Sequence, residues 1–120
     1  MKRRARSTPP PTSSDVRRFS AIKELGCIAC RLREVGRIWP EIHHLTVTGR
    51  HGGKRRGHEA SVGLCPWHHR GIPFLGLTLG STEAVAGPSM KHTPRAFREE
   101  FGQDERLLEY QNGLLGIVAQ

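Results

Sequence analysis

A chain of 120 residues with 36% hydrophobic and 6% aromatic residues has room for one domain and a small core, the size class that often adds a metal ion to hold its fold. Nineteen Lys and Arg against eleven Asp and Glu leave a net charge of +8, which favours a polyanionic partner, nucleic acid foremost. No apolar run approaches the ~18 residues of a membrane span, and the basic N-terminus leads into prolines instead of an apolar signal segment, so a cytoplasmic protein is expected.

The first fourteen residues read as a disordered basic tail, with residues 15–120 as the folded part. Lys2, Arg3, Arg4 and Arg6 are followed by Pro9-Pro10-Pro11 and a Ser/Thr cluster, a composition that cannot bury a core. Ser13, Ser14 or Asp15 can cap a helix from about Val16 to Gly26, with Val16, Phe19, Ile22 and Leu25 on one face. Gly26 ends it and delivers Cys27 and Cys30 on a tight turn, where backbone N–H groups stabilise thiolates. Two of three cysteines at this spacing, in a reducing compartment, point to metal ligation ahead of disulfides. A redox motif is the competing reading, but no βαβ pattern surrounds the pair.

Residues 31–37 are charged and fit either a helical turn or a loop. Glu41 to Val47 has the β-branched, alternating character of a strand and contains His43 and His44. A basic, glycine-rich loop follows, with Gly49, Gly52, Gly53 and Gly57 among Arg50, His51, Lys54, Arg55 and Arg56. It lacks the Gly-Lys-Ser/Thr ending of a nucleotide-binding P-loop. Ala60 to Leu64 reads as a second strand, and Pro66 suits the first turn of a helix that begins after Cys65. Residues 72–86 are apolar and glycine-punctuated, without a secure assignment. Thr93 and Pro94 start a further helix that brings Phe97 and Phe101 together. Asp104 to Leu115 forms the last helix, with Leu107, Leu108, Tyr110, Leu114 and Leu115 as packing residues.

The chemistry lies in Leu64-Cys65-Pro66-Trp67-His68-His69. Zinc favours thiolate and imidazole ligands, and Cys-x-x-Cys followed far downstream by Cys-x-x-His supplies four: Cys27, Cys30, Cys65 and His68. The set is closed, so the expected Zn2+ is structural. His43, His44 and His69 are left over. Neighbouring residues on a strand point to opposite faces, so His43 and His44 should not share a role unless the strand twists or ends there. One of them with His69 can hold a second cation, leaving positions for water and a phosphate oxygen; the other can act as a general base. Lys54, Arg55, Arg56 and Arg70 can take flanking phosphates, with Gly52 and Gly53 allowing the loop backbone close to a duplex.

This order of a histidine-bearing strand, a loop, a second strand and Leu-Cys-x-x-His-His, with an upstream Cys-x-x-Cys, resembles the HNH endonuclease superfamily. Ile42-His43-His44-Leu45, the Gly-Gly-Lys-Arg-Arg-Gly loop, Leu64 to Arg70, Gly87-Pro88-Ser89 and Phe97-Arg98 resemble the bacteriophage recombination-enhancement nucleases within it. The likeness spans about Asp15 to Leu115. It implies an α+β fold built on a zinc-stabilised ββα-metal core (the His-Me finger) with flanking helices, and a DNA endonuclease acting with a RecA filament in phage recombination inside a bacterial host cell.

Carried over residue by residue, the resemblance makes His43 and His69 ligands of a catalytic Mg2+ or Mn2+, and His44 the general base. No His stands four residues after His69, where Pro73 lies, so this cation has two clear protein ligands. No Asn fills the family's middle position; His58 is the nearest polar candidate, either orienting His44 or packing by the loop. Hydrolysis in line at phosphorus would leave a 5′ phosphate. A monomer is expected. The competing readings are a zinc module that binds DNA without cutting it, and a recombinase-recruiting protein with a vestigial metal centre.

Overall fold

The computed structural model describes residues 9–49 and 53–116. The basic run Lys2, Arg3, Arg4 and Arg6, and Arg50, His51 and Gly52 of the glycine-rich loop, lie outside the described residues. The elements run α1 (Ser13–Leu25), α2 (Ile28–Leu32), β1 (Glu41–His44), β2 (Ser61–Leu64), α3 (Pro66–Arg70), α4 (Leu79–Ala86), α5 (Pro94–Phe101) and α6 (Asp104–Leu114). This is a small α+β fold in which a two-stranded hairpin and a short helix are wrapped by longer helices.

Helix α1 begins at Ser13, earlier than expected, because Thr12 caps it. The Thr12 hydroxyl accepts from the Asp15 N–H, and the Asp15 carboxylate accepts from the Thr12 N–H, which satisfies two otherwise orphaned donors at the helix start. Of the four apolar residues expected on one face, Ile22 is fully buried whereas Val16 is half exposed. The buried contact of α1 therefore centres on its C-terminal half. There Ile22 packs over Gly63: a Cβ on that glycine would sit 2.6 Å from Ile22 Cγ2 and 3.1 Å from Pro40 Cβ. Glycine at this strand position is what lets helix and hairpin approach.

The hairpin pairs Glu41 with Leu64, Ile42 with Gly63, His43 with Val62 and His44 with Ser61, antiparallel. Regular pairing stops at His44, three residues short of the expected strand end. An isolated bridge between Thr46 and Arg55 carries the ladder into the loop, and the Arg56 N–H donates to the Leu45 carbonyl. Among the described residues no third strand pairs with β2 on its far side. The side chain of Gln111 takes that place: the Gly63 N–H donates to its Oε1 at 2.8 Å, and its Nε2 donates to the Ser61 carbonyl at 2.9 Å. An edge strand's backbone groups need such partners when covered.

Gln111 and Leu107, one helical turn apart, are the buried residues of α6, while Tyr110 and Leu114, expected to pack, are more than a third exposed. Phe97 and Phe101 of α5 do meet, with ring centroids 5.0 Å apart. The core joins Ile28, Leu45, Val62, Leu64, Trp67, Ala86, Phe97 and Leu107 around the buried cysteines. Among the described residues no helix is long and apolar enough to cross a membrane.

Candidate metal centres and active site

Two short helices are each capped by a cysteine, and this brings the distant Cys-x-x-Cys and Cys-x-x-His pairs to one point. Cys27 is the N-cap of α2, its sulfur accepting from the Cys30 N–H. Cys65 is the N-cap of α3, with Pro66 following at a position where a missing N–H costs nothing. Positions 65 and 68 then lie on one side of a single turn. Cys27, Cys30, Cys65 and His68 are all buried, with every ligand atom within 4.8 Å of the others.

The spacings suit a tetrahedral ion. Zinc bonds of ~2.3 Å to sulfur and ~2.0–2.1 Å to nitrogen give tetrahedral edges of about 3.8 Å between sulfurs and about 3.6 Å from sulfur to nitrogen. Cys30 and Cys65 sulfurs are 3.7 Å apart, and His68 Nδ1 is 3.4, 3.5 and 3.3 Å from the sulfurs of Cys27, Cys30 and Cys65. His68 Nε2 donates to the Ala86 carbonyl at 2.8 Å, which leaves Nδ1 as the ligand nitrogen.

Held this close, the four groups compete for protons. Contacts with Cys27 and Cys65 push the Cys30 thiol up, hydrogen bonds from Cys27 and Cys30 hold Cys65 down, and His68, although burial opposes its charge, is pushed up to about 10 by Cys27 and Cys65. A dication that replaces those protons relieves the conflict. The quartet therefore fits zinc. Phe97 and Phe101 lie against the His68 ring and shield the centre. The Trp67 indole donates to the Gly87 carbonyl. Helix α4, which the sequence did not disclose, thus supplies the outer hydrogen bond of the centre through Ala86, and its C-cap Gly87 holds the neighbouring Trp67.

The next residue along α3 turns to a different set of partners. His69 and His43 rings lie side by side, centroids 4.9 Å apart. His69 Nδ1 donates to Glu41 Oε1 at 2.9 Å, so in the neutral ring Nε2 carries the lone pair that a cation needs. Glu41 and His43 sit two residues apart on β1 and so share a face. Glu41 also accepts from the Arg70 guanidinium, and that ion pair, ahead of the His69 contact, holds its carboxyl below the usual range. Sequence reasoning missed Glu41; a carboxylate two residues before a candidate ligand histidine was the available signal.

His44 turns the other way and meets His58. Its Nε2 is 2.9 Å from His58 Nδ1, and His58 Nε2 is 2.7 Å from the Pro9 carbonyl oxygen. A carbonyl only accepts, so His58 Nε2 carries hydrogen, its Nδ1 accepts from His44 Nε2, and the neutral His44 ring is left with its lone pair on Nδ1. Phe19 packs edge-on against both rings. Burial first, then the positive charge of Arg55, hold His44 below its ordinary 6.5. It is thus kept neutral.

The two faces of the strand meet at one cleft because β1 ends at His44. A cavity of about 570 Å³ is lined by His43, His44 and His69 together with Arg55, Lys91 and Arg98. Of the expected phosphate-binding residues, Arg56 is paired with Glu105 and Arg70 with Glu41, while Lys54 is exposed and lines a neighbouring depression. Arg98 is held by the Gly49 carbonyl and Asp104. Lys91, between α4 and α5, had not been singled out. Its approach to the cleft depends on long-range packing.

A comparison with curated proteins gives no match. Over residues 11–116 the chain matches the family described as recombination enhancement, RecA-dependent nuclease. That span takes in the Cys27–Cys30 and Cys65–His68 pairs, the hairpin, the cleft and the six helices of the described residues, and with it the chain belongs to the recombination-enhancement, RecA-dependent nucleases.

Proposed function

We propose that the protein is a metal-dependent DNA endonuclease that cuts phosphodiester bonds by a one-metal HNH mechanism, acting with a RecA filament. The observation that carries this reading is the division of labour between neighbouring histidines. His68 is consumed by the buried quartet, whereas His69 and His43 pair at the cleft and His44 presents a neutral, oriented ring beside them.

In this reading His43 and His69 hold a Mg2+ or Mn2+, with Glu41 fixing the ring of His69. The cation would supply charge neutralisation at the phosphate oxygens. His44 takes the proton from the attacking water at Nδ1, and His58 stabilises the resulting imidazolium through the hydrogen bond to Nε2. Arg55 and Lys91, which have no carboxylate partner among the described residues, bind the flanking phosphates, joined by Lys54 farther out. Arg56 and Arg70 contribute positive potential while tied to their carboxylates.

A non-catalytic zinc module would have no use for an oriented, neutral histidine in an open cleft. Plasmid nicking separates the readings: conversion of supercoiled to open-circular DNA on addition of Mg2+ or Mn2+ is expected, and binding without cutting in every metal would favour the module. The same assay on a displaced duplex, with and without RecA filament, tests dependence; equal rates would remove RecA from the proposal.

A further inference from the structure

The segment ahead of Asp15, read from its composition as a disordered basic tail, reaches the candidate active site through a backbone atom. We propose that the Pro9 carbonyl is a positioning group of the catalytic machinery: it fixes the tautomer of His58 and, through His58, decides which nitrogen of His44 carries the lone pair. This rests on the reading of His44 as general base.

The hydrogen-bond relay has a direction only because its outer end is a carbonyl. With Pro9 in place, His58 donates from Nε2 at 2.7 Å and accepts at Nδ1 from His44 at 2.9 Å. Without it, His58 Nε2 faces water and can accept equally well. The other tautomer then puts hydrogen on His58 Nδ1, His44 Nε2 becomes the acceptor, and the hydrogen of His44 moves to Nδ1. That histidine cannot take a proton from water at Nδ1. The same two rings thus make a base or a poor one, according to what lies at the end of the relay.

Both ends of the relay are held. Pro10 and Pro11, with restricted φ, link Pro9 to Thr12, whose capping box locks the start of α1. His58, 9% exposed, is gripped through its own backbone: the Ser61 hydroxyl donates to the His58 carbonyl at 2.6 Å, and Arg18 donates to both the Ser61 hydroxyl, at 3.2 Å, and the Ser61 carbonyl, at 2.7 Å. Arg18 and Pro9 lie on the same N-terminal segment. The arm and first helix therefore brace His58 from two sides.

The test uses the zinc-loaded full chain, a chain lacking residues 2–10 that keeps the Thr12 cap, and a full chain with Lys2, Arg3, Arg4 and Arg6→Gln. Ring 15N shifts of His58 should report a bare Nδ1 and a protonated Nε2 in the full chain and the Gln variant. In the truncated chain these shifts should move toward each other as the tautomers mix. In nicking, truncation should lower kcat about fivefold, the worth of one neutral hydrogen bond, whereas the Gln variant should raise KM alone. In a His58→Asn background, where the amide oxygen replaces Nδ1 as acceptor, truncation should leave kcat unchanged. Unchanged His58 shifts on truncation, an effect confined to KM, or an equal fall in both backgrounds would overturn the proposal. The ring shifts need no cutting, so they decide the Pro9–His58 link even if His44→Ala shows the base assignment to be wrong.

Discussion

Glu41 Oε1 lies 2.9 Å from His69 Nδ1, joining the first residue of β1 to the fourth of α3. This contact commits one nitrogen of His69 to the protein and turns the other outward. Glu41→Gln keeps the shape but makes a weaker acceptor and frees Arg70. Loss of an outer carboxylate partner costs about 10–100-fold in metal affinity. The Mn2+ concentration giving half-maximal nicking should rise by that order, while zinc content and melting temperature stay near wild type.

His68 and His69 should fail in opposite ways. His68→Ala breaks a buried quartet whose ion supplies folding free energy. It should lower zinc content below one per chain and abolish the cooperative thermal transition, as should Cys27→Ser. His69→Ala should leave a folded, zinc-loaded protein that no longer cuts. Zinc analysis and circular dichroism on the pair check this.

The rate should have an acid limb below pH 6.5. A base works deprotonated, and a lowered pKa keeps it so to lower pH; activity is present above that value and falls as pH drops through it. Burial is the main cause of the lowering, with Arg55 next, and a bound cation would push the same way. Arg55→Gln should therefore move the limb upward, toward 6.5, in a pH profile of kcat/KM at saturating metal. A downward move would contradict the assigned cause.

Gln111→Leu should destabilise the domain without touching the cleft. It keeps volume but strands the buried Gly63 N–H, worth on the order of 1–3 kcal/mol when left without a partner, and removes one of two donors to the Ser61 carbonyl, which keeps its bond from Arg18. Denaturant unfolding should show a loss of about 1–4 kcal/mol.

The zinc quartet was legible because its ligands come as two short pairs whose spacing is local chemistry. The separation of His43 from His44 was legible because strand geometry alternates; His58 was the nearest polar candidate, with orienting His44 and packing by the loop both open. Other features depend on contacts that no local pattern encodes. Gln111 finds Gly63 across 48 positions and Pro9 finds His58 across 49. Glu41 reads in isolation as an ordinary strand-end charge. Helix α4 stayed hidden because its Thr78 cap follows a glycine-punctuated stretch with little amphipathic pattern. Tyr110 and Leu114 were misplaced for a related reason: the inward face of α6 is set by a glutamine, which hydrophobic periodicity cannot see.

The central claim, that His44 is the general base of a metal-dependent nuclease, is tested most directly by single-turnover nicking of plasmid DNA with saturating Mn2+ by the wild-type protein and by zinc-loaded His44→Ala. A general base contributes roughly 10²–10⁴ in rate. A fall of that size with DNA binding retained is the predicted result; a variant that cuts as fast as wild type would contradict it.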